Sequence, residues 1–355
     1  MKIGIITFQE TNNYGAILQN YALQHSLKKY GHDVETIDYR SRYISKPYKL
    51  LHLKKKGIAR YLFGVMGYIC YLPRQKRNSV FRQKINYSKP VKYEELVELN
   101  QDYDMFITGS DQVWNVNLTG HDDTYFLGFV AEKNKKNSYA ASVGLSALSE
   151  QDKVWYNNKL SDFTDVLVRE TSSVALLEPL LNKSVKDVVD PVFLLDEEEW
   201  KSVMNPVNMG DYILVYQLGI SKAFVKYAVS CAKKYNCKLI FVPFPLVGFA
   251  KGKYKFTAGA GDVLSYIAHA KYIITDSFHG TALSIIFNKK FTTLVSGTHS
   301  GVSSRLKDML KKFGLENRIW IEGFDLDATI DYKAVNRIVK VERQKALELL
   351  KKITG

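Results

Sequence analysis

The sequence predicts an α/β protein of two doubly wound domains, each a parallel sheet between layers of helices, facing one another across a cleft. Short apolar runs alternate with amphipathic stretches along most of the chain, the pattern of parallel strands joined by crossover helices. The alternation comes as two series, separated by Asp190-Pro191 and an acidic, polar stretch from Asp196 to Gly210. A length of 355 residues suits two such units of about 150 residues each. The expected division is an N-terminal domain over 1–195, a C-terminal domain over 196–331, and a last helix over 332–355 that can return to the N-terminal domain. The polar junction is expected to carry few core residues.

In the first series, Lys2–Phe8 reads as a strand and Tyr14–Tyr30 as a helix with Ile17, Leu18, Tyr21, Ala22 and Leu27 on one face. Gly31 stops that helix, and Val34–Tyr39 is the next strand. Tyr93–Leu99 reads as helical, and Met105–Thr108 as a strand ending at Gly109-Ser110-Asp111. Ser138–Val143 and Val166–Arg169 are further strands, separated by a helix around Glu150–Leu160. The second series reads as strands at Tyr212–Leu218, Lys238–Pro243, Tyr272–Thr275 and Phe291–Val295. Helices are expected at Lys222–Tyr235, Asp262–His269, Gly280–Phe287, Ser303–Phe313 and Tyr332–Lys352.

Hydrophobic residues at 46% and charged residues at 24% exclude disorder, collagen and coiled coil as the main structure. Cys70, Cys231 and Cys237 are too few and too scattered for a disulfide scaffold or a zinc site, and they point to a reducing compartment. No apolar run reaches the roughly 18 residues of a membrane-spanning helix. The first apolar stretch turns polar after Phe8, as a buried strand does and a signal peptide does not. The expected location is therefore cytoplasmic. The net charge is +14, and one segment carries it: Tyr39–Tyr93 holds fifteen Lys and Arg and no Asp or Glu. Inside it lies the apolar core Tyr61–Pro73, too short to span a bilayer. Two readings stand: a peripheral contact with an anionic membrane surface, through Leu62-Phe63 and Tyr68-Ile69, or a helix packed on the first domain with solvated basic flanks. Nucleic acid is not expected, because no nucleic-acid motif accompanies the charge.

Phosphate-loop, nucleophile-elbow and zinc-protease motifs are absent. Four loops at expected strand ends carry the candidate chemistry. Thr11–Gln19 brings a Gly and small polar groups to a helix start, which serves equally as a plain N-cap or as an anion site. Thr108–Asn115 crowds hydrogen-bonding side chains and Trp114 onto one turn, suited to a sugar; the other reading buries Trp114 in the core. Arg169, at a strand end before Glu170, offers a fork for phosphate or carboxylate, or an ion pair with a neighbouring acid. In Tyr272–Phe287 an apolar strand runs into Thr275-Asp276-Ser277, and His279-Gly280 opens a helix. A His so placed suits proton transfer. Arg305, after Ser303-Ser304, can bring a second guanidinium to the cleft.

Asn13-Tyr-Gly-Ala-Ile-Leu-Gln19, Thr108-Gly-Ser-Asp-Gln-Val-Trp-Asn115, Val168-Arg-Glu170, Asp190-Pro191 and Thr275-Asp-Ser-Phe-His-Gly280 together resemble the polysaccharide pyruvyl transferase family. They occur in the family's order and cover roughly Met1 to Phe313. The resemblance implies two Rossmann-like domains in the manner of the GT-B glycosyltransferases. It implies transfer of the enolpyruvyl unit of phosphoenolpyruvate to a sugar, as a cyclic ketal on two hydroxyls, with no metal and no cofactor beyond phosphoenolpyruvate as co-substrate. The acceptor would be a bacterial surface polysaccharide or its lipid-pyrophosphate-linked precursor.

Carried onto this sequence, the resemblance implies His279 as catalytic acid or base, oriented by Asp276. Arg169, Arg305, Ser277 and Gly280 would bind the donor. Asn13, Tyr14, Gly15, Gln19, Ser110, Asp111, Gln112, Trp114 and Asn115 would bind the acceptor. Many members carry an Arg two residues before the motif His, where this chain has Ser277; the missing cation would then come from Arg305 or Arg169. Two alternatives stand beside this reading: a nucleotide-sugar glycosyltransferase on a similar fold, which would release a nucleotide, and a non-catalytic membrane-docked scaffold of polysaccharide assembly.

Overall fold

Each series folds around a five-stranded parallel sheet, and the two sheets share one strand order. The computed structural model describes residues 1–41, 72–219, 221–243, 251–295 and 300–355. The first sheet runs β3-β2-β1-β4-β5, formed by β1 (Lys2–Ile6), β2 (Asp33–Tyr39), β3 (Tyr87–Val91), β4 (Met105–Thr108) and β5 (Lys136–Ser138). β6 (Val166–Val168) and β7 (Val185–Asp187) pair with each other and continue past β5 through the bridges Asn137–Asp165 and Ala141–Val168. The second sheet runs β10-β9-β8-β11-β12, formed by β8 (Tyr212–Gln217), β9 (Lys238–Pro243), β10 (Lys253–Tyr254), β11 (Tyr272–Thr275) and β12 (Lys290–Thr293). In both sheets the winding reverses beside the first strand, between β1 and β4 and between β8 and β11. Loops leaving the C-terminal ends of those strands diverge there and open a crevice.

The apolar runs are continuous because both faces of each sheet are covered. Ile3 and Ile5 of β1 point into one core cluster and Ile6 into another. Gly4 sits under Phe106, where a Cβ would come within 2.9 Å of the ring. Helix α1 (Tyr14–Lys29) is buried almost all round, and its polar side chains are spent inside the fold. Gln24 Nε2 donates to Thr36 Oγ1 and Asn86 O, and Thr36 Oγ1 donates to Asn20 Oδ1. Gly31, at φ +83°, ends the helix in the left-handed region, which Gly adopts without strain.

The strand expected at Ser138–Val143 lies earlier, at Lys136–Ser138. Ala140, at φ +56°, bends the chain out of the sheet. The junction also differs from expectation. Trp200 is fully buried, its Nε1 donating to Val192 O, and Val192, Phe193, Leu194 and Leu195 join the same cluster. That cluster runs without a break from Ile3 to Ile273, so the two sheets share a core although no ladder joins them among the described residues.

Residues 42–71 of the basic segment, with Leu62-Phe63 and Tyr68-Ile69, lie outside the described residues. The part after them forms helix α2 (72–82), and its arginines do not all face solvent. Arg74 is buried, with Nε donating to Phe256 O. Arg77 pairs with Asp262 at 2.8 Å, and Arg82 Nη2 donates to Thr11 O. Asn78 donates to Asn12 Oδ1 and accepts from the Ala260 N–H. α2 therefore ties the loop before α1 to the start of α6 (Ala260–His269). Among the described residues no helix is long and apolar enough to cross a membrane.

The remaining long helices are α3 (Glu150–Leu160), α4 (Thr171–Leu181), α5 (Lys222–Lys234), α7 (Phe278–Ile286), α8 (Ser300–Lys312) and α9 (Tyr332–Ile353). α9 reaches back to the first series. Arg343 donates from Nε to Phe193 O and from Nη2 to Leu195 O, and Tyr30 donates to Leu347 O. Arg343→Ala deletes the cation that satisfies two junction carbonyls. It is expected to lower stability by roughly 1.5–3 kcal/mol, read as a reduced urea midpoint at unchanged slope.

Candidate functional site

The crevices of the two sheets face each other, and strand-end loops from both bring ionisable groups to one place. β6 ends at Val168, and Arg169 follows with no exposed side-chain surface. A guanidinium buried so deeply needs charge around it. Its Nη1 lies 2.9 Å from Asp190 Oδ2, its Nε 3.5 Å from Glu170 Oε2, and its Nη2 3.9 Å from Asp111 Oδ1. Its plane stacks 4.4 Å from the Phe278 ring centre. Burial works against its charge, and the three carboxylates more than reverse that, so its pKa is raised. Among the described residues Nε and Nη2 have no hydrogen-bond partner, so two donors remain turned inward.

Arg305, on α8, is buried beside it. Burial and then the charge of Arg169 push its pKa down to about 10, against the pull of Glu170, Asp111 and Asp190. Two guanidiniums held together at the cost of one's affinity for its proton favour an anion between them. A hollow lined by Arg169, Asp190, Phe278, Arg305, Asp308 and Lys312 opens there.

Asp190, just past β7, is the hub. Oδ2 receives the Ser110 hydroxyl at 2.8 Å and Arg169 Nη1, while Oδ1 receives the Val192 N–H at 3.1 Å. His279 Nε2 stands 3.6 Å from Oδ2, a charge contact slightly longer than a hydrogen bond. Burial alone would raise this carboxyl; His279, Arg169 and the Val192 amide hold it well below the usual carboxylate range.

His279 is placed from three sides. Ser277 caps α7, its Oγ accepting the Gly280 N–H at 3.2 Å. Gly280 lets the helix approach the sheet, since a Cβ there would lie 2.6 Å from Thr275 Oγ1. Gly15, in the first turn of α1, lies directly on the imidazole: a Cβ there would stand 2.0 Å from Nδ1. Asn13 caps α1 by accepting the Gly15 N–H.

Three expected residues are elsewhere. Asp276 does not orient His279; its carboxylate accepts the N–H groups of Leu218 and Gly219 at 2.6 and 2.8 Å, tying the end of β11 to the segment after β8. Burial raises its pKa, against those two amides. Trp114 presents no face to a sugar. It is fully buried against Phe126 and Phe163, with Nε1 donating to Tyr125 O. Gln19 is also sealed, with Nε2 donating to Thr7 Oγ1 and Ala16 O.

Tyr14 is a buried strut whose hydroxyl donates to Ala258 O, and burial pushes its pKa up to about 12. Ser110 and Asp111 do reach the cluster, Asp111 at φ +84°, a left-handed conformation rare for a residue with a side chain. Gln112 and Asn115 bind each other and brace Gly144 through Asn115 Nδ2. The residues whose roles are found only in the structure are Asp190 as hub and Phe278 as platform; Glu170 is the neighbouring acid of the ion-pair reading of Arg169. Asp190-Pro191 was visible as a motif, but nothing local linked it to a His 89 positions later. Among the described residues, no group of three His, Cys, Asp or Glu could hold a metal ion.

Known structures share this architecture. S. aureus MnaA bound to UDP is similar over 98% of this chain and 89% of that one, at 10% identity and a TM-score of 0.50. UDP-GlcNAc 2-epimerase from Neisseria meningitidis, bound to UDP-GlcNAc, matches over 100% and 99% at 8% identity and TM-score 0.48. E. coli heptosyltransferase WaaC with ADP matches over 98% and 100% at 11% identity and TM-score 0.40. Such likeness concerns the fold alone, which is GT-B-like. No curated protein matches the chain in sequence. The family model for polysaccharide pyruvyl transferases matches residues 13–297, from the cap of α1 through His279 and short of Arg305, and the chain belongs to that family.

Proposed function

We propose that the protein transfers the enolpyruvyl unit of phosphoenolpyruvate to a sugar of a bacterial surface polysaccharide or its lipid-linked precursor, closing a 4,6-type cyclic ketal and releasing phosphate. The observation that carries the reading is the pair of buried arginines around Asp190, the carboxylate that faces His279, with two Arg169 nitrogens that make no hydrogen bond among the described residues. Phosphoenolpyruvate brings a phosphate and a carboxylate, the groups a guanidinium fork binds best. Two hydroxyl protons must be relocated. One ends on C3 of the donor and the other on the departing phosphate, while two C–O bonds form at C2 and the C2–O–phosphate bond breaks. His279 is the acid/base for the first of these transfers.

The direct test incubates the protein with phosphoenolpyruvate and a panel of galactose- and mannose-containing acceptors. Phosphate release with a matching gain in acceptor mass is expected; release of nucleotide from a nucleotide sugar would overturn the reading. His279→Ala should cut turnover by roughly 10²-fold or more. Arg305→Gln should raise the KM for phosphoenolpyruvate by about 10–100-fold with a smaller change in kcat, the worth of one charged hydrogen bond. Gly15→Ala forces His279 aside, and a shift of about 1 Å is expected to cost turnover on the order of 10²-fold, with the melting temperature little changed.

A cytoplasmic enzyme acting at the inner membrane face would meet a lipid-linked acceptor there, and the charge of residues 39–93 supports that location. Binding to liposomes should then need anionic lipid and weaken as salt rises. Equal binding to neutral liposomes would overturn it.

A further inference from the structure

We propose that Asp190 is a positioning residue that fixes the tautomer of His279, keeping a proton on Nε2 and making Nδ1, against Gly15, the nitrogen that exchanges protons with the substrates. Two independent features of the fold point the same way. Nε2 is buried, has no hydrogen-bond partner among the described residues, and faces Asp190 Oδ2 at 3.6 Å. That oxygen already receives Ser110 and Arg169, and the other accepts the Val192 amide, so the carboxylate stays ionised and acceptor-only. A lone pair on Nε2 would confront this charge across a dry gap; a proton there is attracted to it. On the ring's other side Nδ1 has no hydrogen-bond partner among the described residues and abuts the first turn of α1, 16 residues long. The positive end of a helix dipole favours an electron pair over an N–H at that position.

The assignment rests on the pyruvyl-transfer reading for what Nδ1 does, and it orders the proton steps. Doubly protonated His279 gives the Nδ1 proton to C3 of phosphoenolpyruvate, the C2=C3 pair forming the new C–H bond. A sugar oxygen then bonds to C2 and its proton passes to Nδ1, restoring the starting state. Phosphate leaves as the second hydroxyl adds, taking that hydroxyl's proton. Nε2–H is never exchanged, and Asp190 faces it in both the charged and the neutral ring. This also separates Asp190 from Arg169 and Arg305, which act on the donor's anionic groups.

The tautomer readout needs no substrate, so its outcome is independent of whether phosphoenolpyruvate is the donor; turnover is a second readout. Long-range 1H–15N spectra of 15N-histidine-labelled protein, at a pH where the imidazoles are neutral, distinguish the two tautomers. His279→Gln assigns the signal. The remaining six histidines, His25, His32, His52, His121, His269 and His299, report the fold in the same spectrum. The expected result is Nε2–H for His279, with Asp190→Asn moving only that signal and lowering turnover by about tenfold or more. A wild-type Nδ1–H tautomer overturns the proposal, and so does a His279 signal that Asp190→Asn leaves in place. Should Asp190→Asn disturb all the histidines, the wild-type tautomer decides alone.

Discussion

A guanidinium with no exposed side-chain surface has to be neutralised where it stands, and the arrangement around Arg169 follows from that constraint. Asp190, Glu170 and Asp111 arrive from three different strand-end loops. Each is itself held: Glu170 Oε1 accepts Ser142 and Ser173 hydroxyls, Asp190 the Ser110 hydroxyl and the Val192 amide. In a medium of low dielectric an incomplete network costs more than an apolar core would. The cluster therefore dictates where β4, β6 and β7 must end relative to one another, and through Asp190 it also dictates where the second half may place His279.

The two halves are joined by more than this cluster. The apolar seam beneath it is continuous, and α2 bridges the same seam from outside with Arg77–Asp262, Asn78 and Arg82. The loop that α2 grips, Thr11-Asn12, leads directly into the turn where Gly15 meets His279. A helix remote from the chemistry thus braces the approach of α1 to the imidazole. It does so with side chains that sequence composition alone would assign to solvent.

The frame was legible in the sequence because parallel strands and crossover helices have different periods, and most of the second series could be read directly from them. β3, β7 and β10 were not: Tyr87–Val91 is a half-exposed edge strand carrying Pro90, and strands of three and two residues leave no periodic trace. His279, Arg169 and Arg305 could be singled out because unusual polar residues stood at the ends of apolar runs. Their partners could not. Asp276 is nearer His279 in sequence than Asp190 is, yet its side chain turns toward β8, and only the packing of two sheets decides between them. Trp114 misled for a related reason: an indole among amides suits a sugar or a core equally, and the choice is made by Phe126, Phe163 and Tyr125 O.

The return of α9 bears on how the molecule is made. Arg343 satisfies the carbonyls of Phe193 and Leu195, and Leu350 and Ile353 enter the cluster that includes α1 and β1. During synthesis, the earlier-made sheet therefore waits for residues translated long after it before its own seam is sealed. Until then Val192–Leu195 and the flank of α1 lack the cover that α9 supplies, apolar surface of the kind that makes a partly folded chain prone to association. Between the emergence of β1 and of α9 the growing chain therefore carries an incompletely covered apolar seam.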